Sequence, residues 1–449
     1  MSFNSLEFVF LFLPLFLGCY YVCPPSRRNL ALALGSAVFY VVGAWHHPWW
    51  VVLLAVEIML TWVIALFLPC VQAKKTLLSG SLALLFGILL IFKYAGLLGT
   101  NLVLPLGVSF YTFQMAAYLM DVTHGKVEPV ARLWDYLAEI LMFPKLLSGP
   151  LMPPSELGSQ LTERRYHLEG FDRGLREFIV GLSMKVLLAD RVGGLWTQVQ
   201  TIGFESISTP MAWLGLAGYC FQLYFDFWGY SRMAVGLGRM LGFCLPRNFD
   251  HPYAARTMTE FWRRWHITLG AWFREYVYIP MGGSRQGMPR TILNLLVVWL
   301  LTGIWHGSTW NFLLWGLLIF LLIALEKLGL GPLLERHRVA ARVYMLLAVP
   351  LSWLLFAVPD LGQIGIYLTR LFPFFGGGIA VNQRDFLHYG KQFVPFLAVC
   401  ILLSSPWPER VWNRIRSSTV GTVVCFLLFW AAVYYMSVAV NDPFLYFSF

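Results

Sequence analysis

The chain has 449 residues, of which 58% are hydrophobic, 17% aromatic and only 12% charged. A soluble domain carries about a quarter charged residues, so the composition excludes an ordinary soluble protein and predicts a polytopic membrane protein. The net charge of +10 does not point to nucleic acid, because the basic residues punctuate apolar stretches, where Lys and Arg mark cytoplasmic loops. No stretch has the alternation of a membrane barrel, so an all-α fold is expected.

In chain order, Met1 to Glu7 lacks the basic start of a cleavable signal, and the apolar run to Val22 predicts a retained first helix. Spans follow at 7–23, 29–45, 49–69 and 77–98. Arg27 and Arg28 follow the first span, and Lys74 and Lys75 the third. They assign these loops to the cytoplasm, leaving the N-terminus and the His46-His47-Pro48-Trp49-Trp50 turn outside. Glu57 lies inside an apolar run and is expected to pair, be protonated or face a cavity.

The apolar stretches 101–122, 137–152 and 171–189 are broken by Pro105, Pro144 and Pro150, which predicts re-entrant or interfacial pieces. Lys145 is expected to snorkel to the interface. Arg164, Arg165, Arg173 and Arg176 mark another cytoplasmic stretch. Further segments near 209–228, 292–325, 343–358, 393–404 and 420–440 bring the total to roughly eleven membrane-associated helices. The seven cysteines show no metal-ligand spacing and read as apolar packing residues. Without an internal repeat or a polar linker, residues 1–449 are expected to form a single transmembrane domain.

From 232 to 290 the chain is basic and aromatic at once, which predicts a cytoplasmic-side segment in the headgroup zone. Its arginines can receive an anionic substrate or simply anchor phospholipid. The next stretch, Thr291 to Leu325, has no charged residue. As one helix these about 35 residues would extend for roughly 53 Å, against a bilayer core of about 30 Å. The run must break, and Gly303 and Gly307 put the break beside His306.

An ionisable residue at such a position is a functional candidate. At helical spacing, Trp262, His266 and Phe273 share one face, and Trp299, Thr302, His306, Trp310 and Leu313 another. Apolar surroundings disfavour the imidazolium, keeping a neutral base that can take a proton from an attacking hydroxyl. Asp226 can position a base or an arginine, or cap a helix. No metal site is expected, since no H-E-x-x-H pattern occurs. A nucleophile elbow, a Walker loop and a dinucleotide fingerprint are also missing.

Several segments together resemble the membrane-bound O-acyltransferase family, in its bacterial alginate O-acetyltransferase-like branch. They are Pro105-Leu-Gly-Val-Ser-Phe-Tyr-Thr-Phe-Gln114, Phe143-Pro-Lys-Leu-Leu-Ser-Gly-Pro150 and Glu260-Phe-Trp-Arg-Arg-Trp-His266. Trp272-Phe-Arg-Glu-Tyr-Val-Tyr-Ile-Pro280, Gly303-Ile-Trp-His-Gly307 with Trp310, and the closing Pro443-Phe-Leu-Tyr-Phe447 complete the set. The likeness is strongest from about residue 100 to 326, and the 40 residues between His266 and His306 belong to it. Asp226-Phe-Trp-Gly-Tyr-Ser-Arg232 departs from the family's pattern at Trp228 and Arg232.

The resemblance implies a ring of helices around a thinned centre with a central tunnel. It implies a catalytic His306 with His266 acting on the same path, and Trp262, Trp305 and Trp310 in the surrounding motifs are expected substrate contacts. The implied donor is a cytosolic acyl thioester, acetyl-CoA, with no permanently bound cofactor. Arg263, Arg264 and Arg274 are the expected phosphate contacts, beside Asp226 in substrate binding. The acyl group would pass across a bacterial inner membrane to a periplasmic or membrane-anchored acetyltransferase that modifies a polysaccharide. Peptidoglycan as acceptor, D-alanyl transfer to teichoic acid, and a proton-coupled transporter using Glu57, Asp226 and His306 are the alternatives.

Overall fold

The computed structural model describes residues 1–100, 102–164, 166–375, 382–438 and Phe444. Arg165 and, apart from Phe444, the closing segment 443–447 lie outside the described residues. Every regular element among the described residues is a helix. Seven of them are long and apolar enough to cross a membrane: Trp49–Cys70, Lys74–Leu97, Gly287–His306, Trp310–Arg336, Arg338–Ala357, Asp385–Leu403 and Thr419–Val438. A shorter apolar helix covers Phe8–Val22. Other segments expected at the membrane are helices too short, too polar or too enclosed for that class, such as Val108–Thr123, in which almost every residue is buried.

Lipid exposure is visible in the periodicity. In Trp49–Cys70, Val52, Val56, Met59, Val63 and Phe67 are exposed at helical spacing, while Leu54, Glu57, Ile58, Thr61 and Ala65 are buried. An exposed apolar stripe of that regularity faces acyl chains rather than water. The exposed leucines and valines of Trp310–Arg336 and Thr419–Val438 give the same reading.

The chain divides into two compact units. The first comprises Met1–Leu182, Tyr230–Arg247 and Met436–Pro443. Its core is an aromatic cluster in which Phe3, Phe8, Phe12, Phe16, Phe39 and Phe143 pack with ring centroids 4.9–6.3 Å apart. Glu57 is buried here beside Tyr111 and Tyr40. Lys145 does not snorkel: it is buried, and its Nζ donates to Gln114 Oε1 at 2.8 Å. The amide oxygen takes the place of water as acceptor.

The departure at Arg232 also has its reason within this unit. Its guanidinium forks onto Glu177, with Nε–Oε1 at 2.8 Å and Nη2–Oε2 at 3.0 Å. A bidentate pair of this kind accounts for an arginine in an otherwise apolar helix.

The second unit comprises Ser183–Gly229, Asn248–Tyr435 and Phe444–Phe449. Trp228 stacks on Tyr224, with centroids 5.0 Å apart, and meets His251 edge-on. This unit holds the residues from 258 to 357 on which the functional reading turns.

Candidate active site

Helix Met258–Arg264 begins at a Thr-x-x-Glu signal. Thr257 Oγ1 accepts from the Glu260 N–H at 3.0 Å, and Glu260 Oε2 from the Arg256 N–H at 2.8 Å. A second carboxylate reinforces this end. Buried Glu326 accepts from the N–H groups of Met258 (2.5 Å) and Thr259 (2.8 Å) and from the hydroxyls of Thr259 (2.6 Å) and Tyr344 (3.0 Å). An anion at a helix N-terminus satisfies its orphan donors and complements its dipole.

The helix lasts seven residues because His266 takes the left-handed conformation, φ 46° and ψ 52°. That conformation costs a non-glycine residue about 1–2 kcal/mol, so the surroundings must hold it. Asn248 does so. Its carbonyl accepts from the Ile267 N–H at 3.0 Å, and its Oδ1 from the Thr268 N–H at 3.2 Å and the Thr268 hydroxyl at 2.6 Å. The Asp250 N–H donates to the Arg264 carbonyl at 3.0 Å, fixing the other side of the turn. Helix Ile267–Phe273 then leaves in a new direction, so Trp262, His266 and Phe273 do not share one helical face.

The long apolar run breaks beside His306. Helix Gly287–His306 ends there, Gly307 is extended, and the next helix starts at Trp310. The two helices approach so closely that a Cβ on Gly303 would lie 2.7 Å from the Phe312 carbonyl oxygen. A Cβ on Gly316 would lie 2.5 Å from that of Trp299. This contact leaves the His306 ring between Trp315 and Phe356, each with its centroid 5.0 Å away. Trp305 is buried with its ring 4.6 Å from that of His306. Trp310 is 70% exposed and belongs to the following helix, so it does not extend the His306 face.

His266 and His306 border one cavity of about 450 Å³. Its wall is aromatic: Trp262, Trp265, Trp299, Trp315 and Trp353, packed mostly edge-to-face at 4.8–6.2 Å. Arg263, Arg274 and Lys327 also line it, and all three are exposed. Arg263, Arg274 and Lys327 have no carboxylate within ion-pair distance among the described residues. The histidines are buried, so the cavity runs from a cationic rim to an aromatic interior. Burial pushes the His266 imidazole down to about 3, which keeps it neutral at pH 7.

Four expected substrate contacts do not line this cavity: Trp305 and Trp310, placed above, and Asp226 and Arg264. Asp226 forms a buried pair with Lys185, whose Nζ is 2.7 Å from Asp226 Oδ1 and 2.6 Å from Asp190 Oδ1. The requirement to neutralise a buried charge explains both partners. Arg264 is held by Glu260 at 2.6 Å, one helical turn back, and does not line the cavity. Lys327, Asn248, Glu326 and Lys185 escaped the sequence reading. Only the Thr-x-x-Glu signal at 257–260 was available there, and it announces the start of the helix, not its end before His266.

A polytopic helical protein in which two buried histidines open on an aromatic cavity with a cationic rim is the architecture of an intramembrane group-transfer enzyme. Residues 130–358 match the model of MBOAT, the membrane-bound O-acyltransferase family. The Pseudomonas putida protein called "Probable alginate O-acetylase AlgI" is 32% identical across the whole of both chains. The Pseudomonas fluorescens protein of that name is 37% identical over 83% of this chain and 76% of its own. The peptidoglycan O-acetyltransferase of Helicobacter pylori is 30% identical over 88% of this chain and 83% of its own. The chain therefore belongs to the membrane-bound O-acyltransferase family, and it is a multi-pass membrane O-acyltransferase.

Proposed function

We propose that the protein takes an acetyl group from cytosolic acetyl-CoA and passes it across a bacterial inner membrane for O-acetylation of an extracytoplasmic polysaccharide such as alginate or cellulose. The observation that carries this reading is the pairing of buried His306 and His266 on one cavity whose exposed rim is cationic. Arg263, Arg274 and Lys327 attract the donor's phosphates, and the tryptophan wall shelters its acyl arm from water.

In the reaction, His306 takes the proton of an acceptor hydroxyl as its oxygen bonds to the thioester carbonyl carbon. The carbon–sulfur bond then breaks, and coenzyme A leaves as a thiolate that collects a proton. His266, neutral at pH 7, orients the thioester or passes on that proton. The acceptor hydroxyl belongs to the polysaccharide or to a periplasmic or membrane-anchored acetyltransferase that relays the group. Arg27, Arg28, Lys74 and Lys75 support a periplasmic N-terminus.

The test uses purified protein and radiolabelled acetyl-CoA. His306→Ala is expected to insert and fold but to lose transfer by at least about 100-fold, the lower end of what a general base supplies. Undiminished transfer in that variant would end the mechanism. The peptidoglycan O-acetyltransferase relative favours peptidoglycan as a second acceptor, and offering both polymers with the partner distinguishes them.

A further inference from the structure

The first unit carries a cleft of about 930 Å³ that the acyl-transfer chemistry does not use. Arg164, Arg173 and Arg239 line it together with Tyr21, Phe171 and Phe243. Its key cation is braced rather than loose. Arg164 Nη1 donates to Tyr20 Oη at 2.8 Å, and that hydroxyl donates to the Leu241 carbonyl at 2.8 Å and sits 2.7 Å from Tyr166 Oη. The Arg164 guanidinium also lies 4.8 Å above the Phe243 ring, and that of Arg28 lies 4.0 Å above Tyr166.

The charges do not cancel. Arg173 pairs with Glu169, but Arg28, Arg164 and Arg239 have no carboxylate within ion-pair distance among the described residues. Among the described residues, Glu163 is the one carboxylate that lines the cleft. A braced guanidinium, Arg164, and a second, Arg239, both without counter-ions on one cleft, are a receptor for an anion. Leu168, 86% exposed, borders the same cleft with the aromatic rings, a lining that suits an anion with an apolar body. Tyr21 lies one residue before the end of helix Leu13–Val22, with Arg27 and Arg28 just beyond. This is headgroup level on the cytoplasmic side in the orientation proposed above.

We infer that this cleft binds the phosphate headgroup of an anionic phospholipid from the cytoplasmic leaflet. The guanidiniums of Arg164 and Arg239 take the phosphate oxygens, and Leu168 and the rings cover the glycerol and upper acyl chains. A soluble phosphate would use the arginines but gain nothing from the apolar wall.

The experiment is native mass spectrometry of the full-length protein in detergent, titrated with phosphatidylglycerol and, separately, phosphatidylcholine. Wild type should retain one phosphatidylglycerol in preference to phosphatidylcholine. Arg164→Gln/Arg239→Gln should weaken that retention about 25-fold, at about fivefold per arginine near the membrane surface. Glu163→Gln tests the same field with the opposite sign and without removing a brace, and should tighten retention about fivefold. Equal retention of the two lipids, or no change in either variant, would overturn the assignment. Displacement of the lipid by millimolar glycerol 1-phosphate would overturn it too, giving the cleft to a soluble anion.

Discussion

Lys185 and His306 are both ionisable, both buried and both in the second unit, yet their surroundings differ in kind. Lys185 is closed on itself: two aspartates take its charge, and the Phe444 ring lies 5.1 Å from Nζ. His306 stands at a helix end among rings, on a cavity that a second histidine shares. Burial alone therefore does not mark chemistry. What distinguishes His306 as a candidate reaction centre is the chain break beside it and the space at its edge. Lys185 sits in a π-helical turn, Met184–Ala189, and there the irregularity serves to reach its partners.

The largest effect expected on this comparison is in stability. Lys185→Ala leaves the Asp226 carboxylate buried without its cation, at a cost of about 3–5 kcal/mol. Thermal unfolding in detergent should show this as a large fall in midpoint, and Lys185→Met/Asp226→Asn should recover most of it. If the single variant melts like wild type, the pair does not hold this part of the fold together.

The cavity should respond to pH where the ion pair does not. His266 is held at about 3 in the folded protein, below the about 6.5 of a free imidazole. The unfolded chain therefore takes up the proton first. The stability due to a neutral His266 is complete above about pH 6.5 and is lost as pH falls towards 3. Between pH 7.5 and 5 the loss amounts to about 2 kcal/mol, and His266→Gln should abolish that slope. A parallel pH profile in the variant would assign the slope to other groups.

Asn248→Ala removes the Oδ1 acceptor of Thr268, a loss of about 1–3 kcal/mol for two bonds. Because those bonds hold the left-handed turn at His266, kcat should fall while KM for the donor stays level. A rise in KM alone would place Asn248 in binding instead. The smallest effect belongs to the rim. Arg263→Gln should raise KM for acetyl-CoA about fivefold and flatten its salt dependence, whereas Arg264→Gln, whose side chain is held by Glu260, should change neither. Equal effects from the two would erase the distinction between rim and helix surface.

Much of this was legible in the sequence. A charge-free run too long for one span forces a break, and glycine marks where. The motif order carried the family. What could not be read depends on contacts far along the chain. Asp226 finds its cation 41 residues upstream, through a helical irregularity that composition does not signal. Lys327 and Glu326 are neighbours in sequence, yet one lines the cavity while the other caps helix Met258–Arg264. Helical spacing misled at His266 and Trp310 for one reason: each lies beyond a helix end, where the 3.6-residue period no longer applies. The snorkelling expected of Lys145 failed because Gln114, 31 residues away, supplied an acceptor inside the protein.

The central claim is that the thioester enters this cavity and reacts beside His306. The most direct measurement is a cryo-electron microscopy structure with a non-reactive thioether analogue of acetyl-CoA. The account predicts the acyl carbon within reach of the His306 ring, and the phosphates among Arg263, Arg274 and Lys327. Density for the analogue elsewhere in the protein, with this cavity empty at saturating concentration, would contradict it.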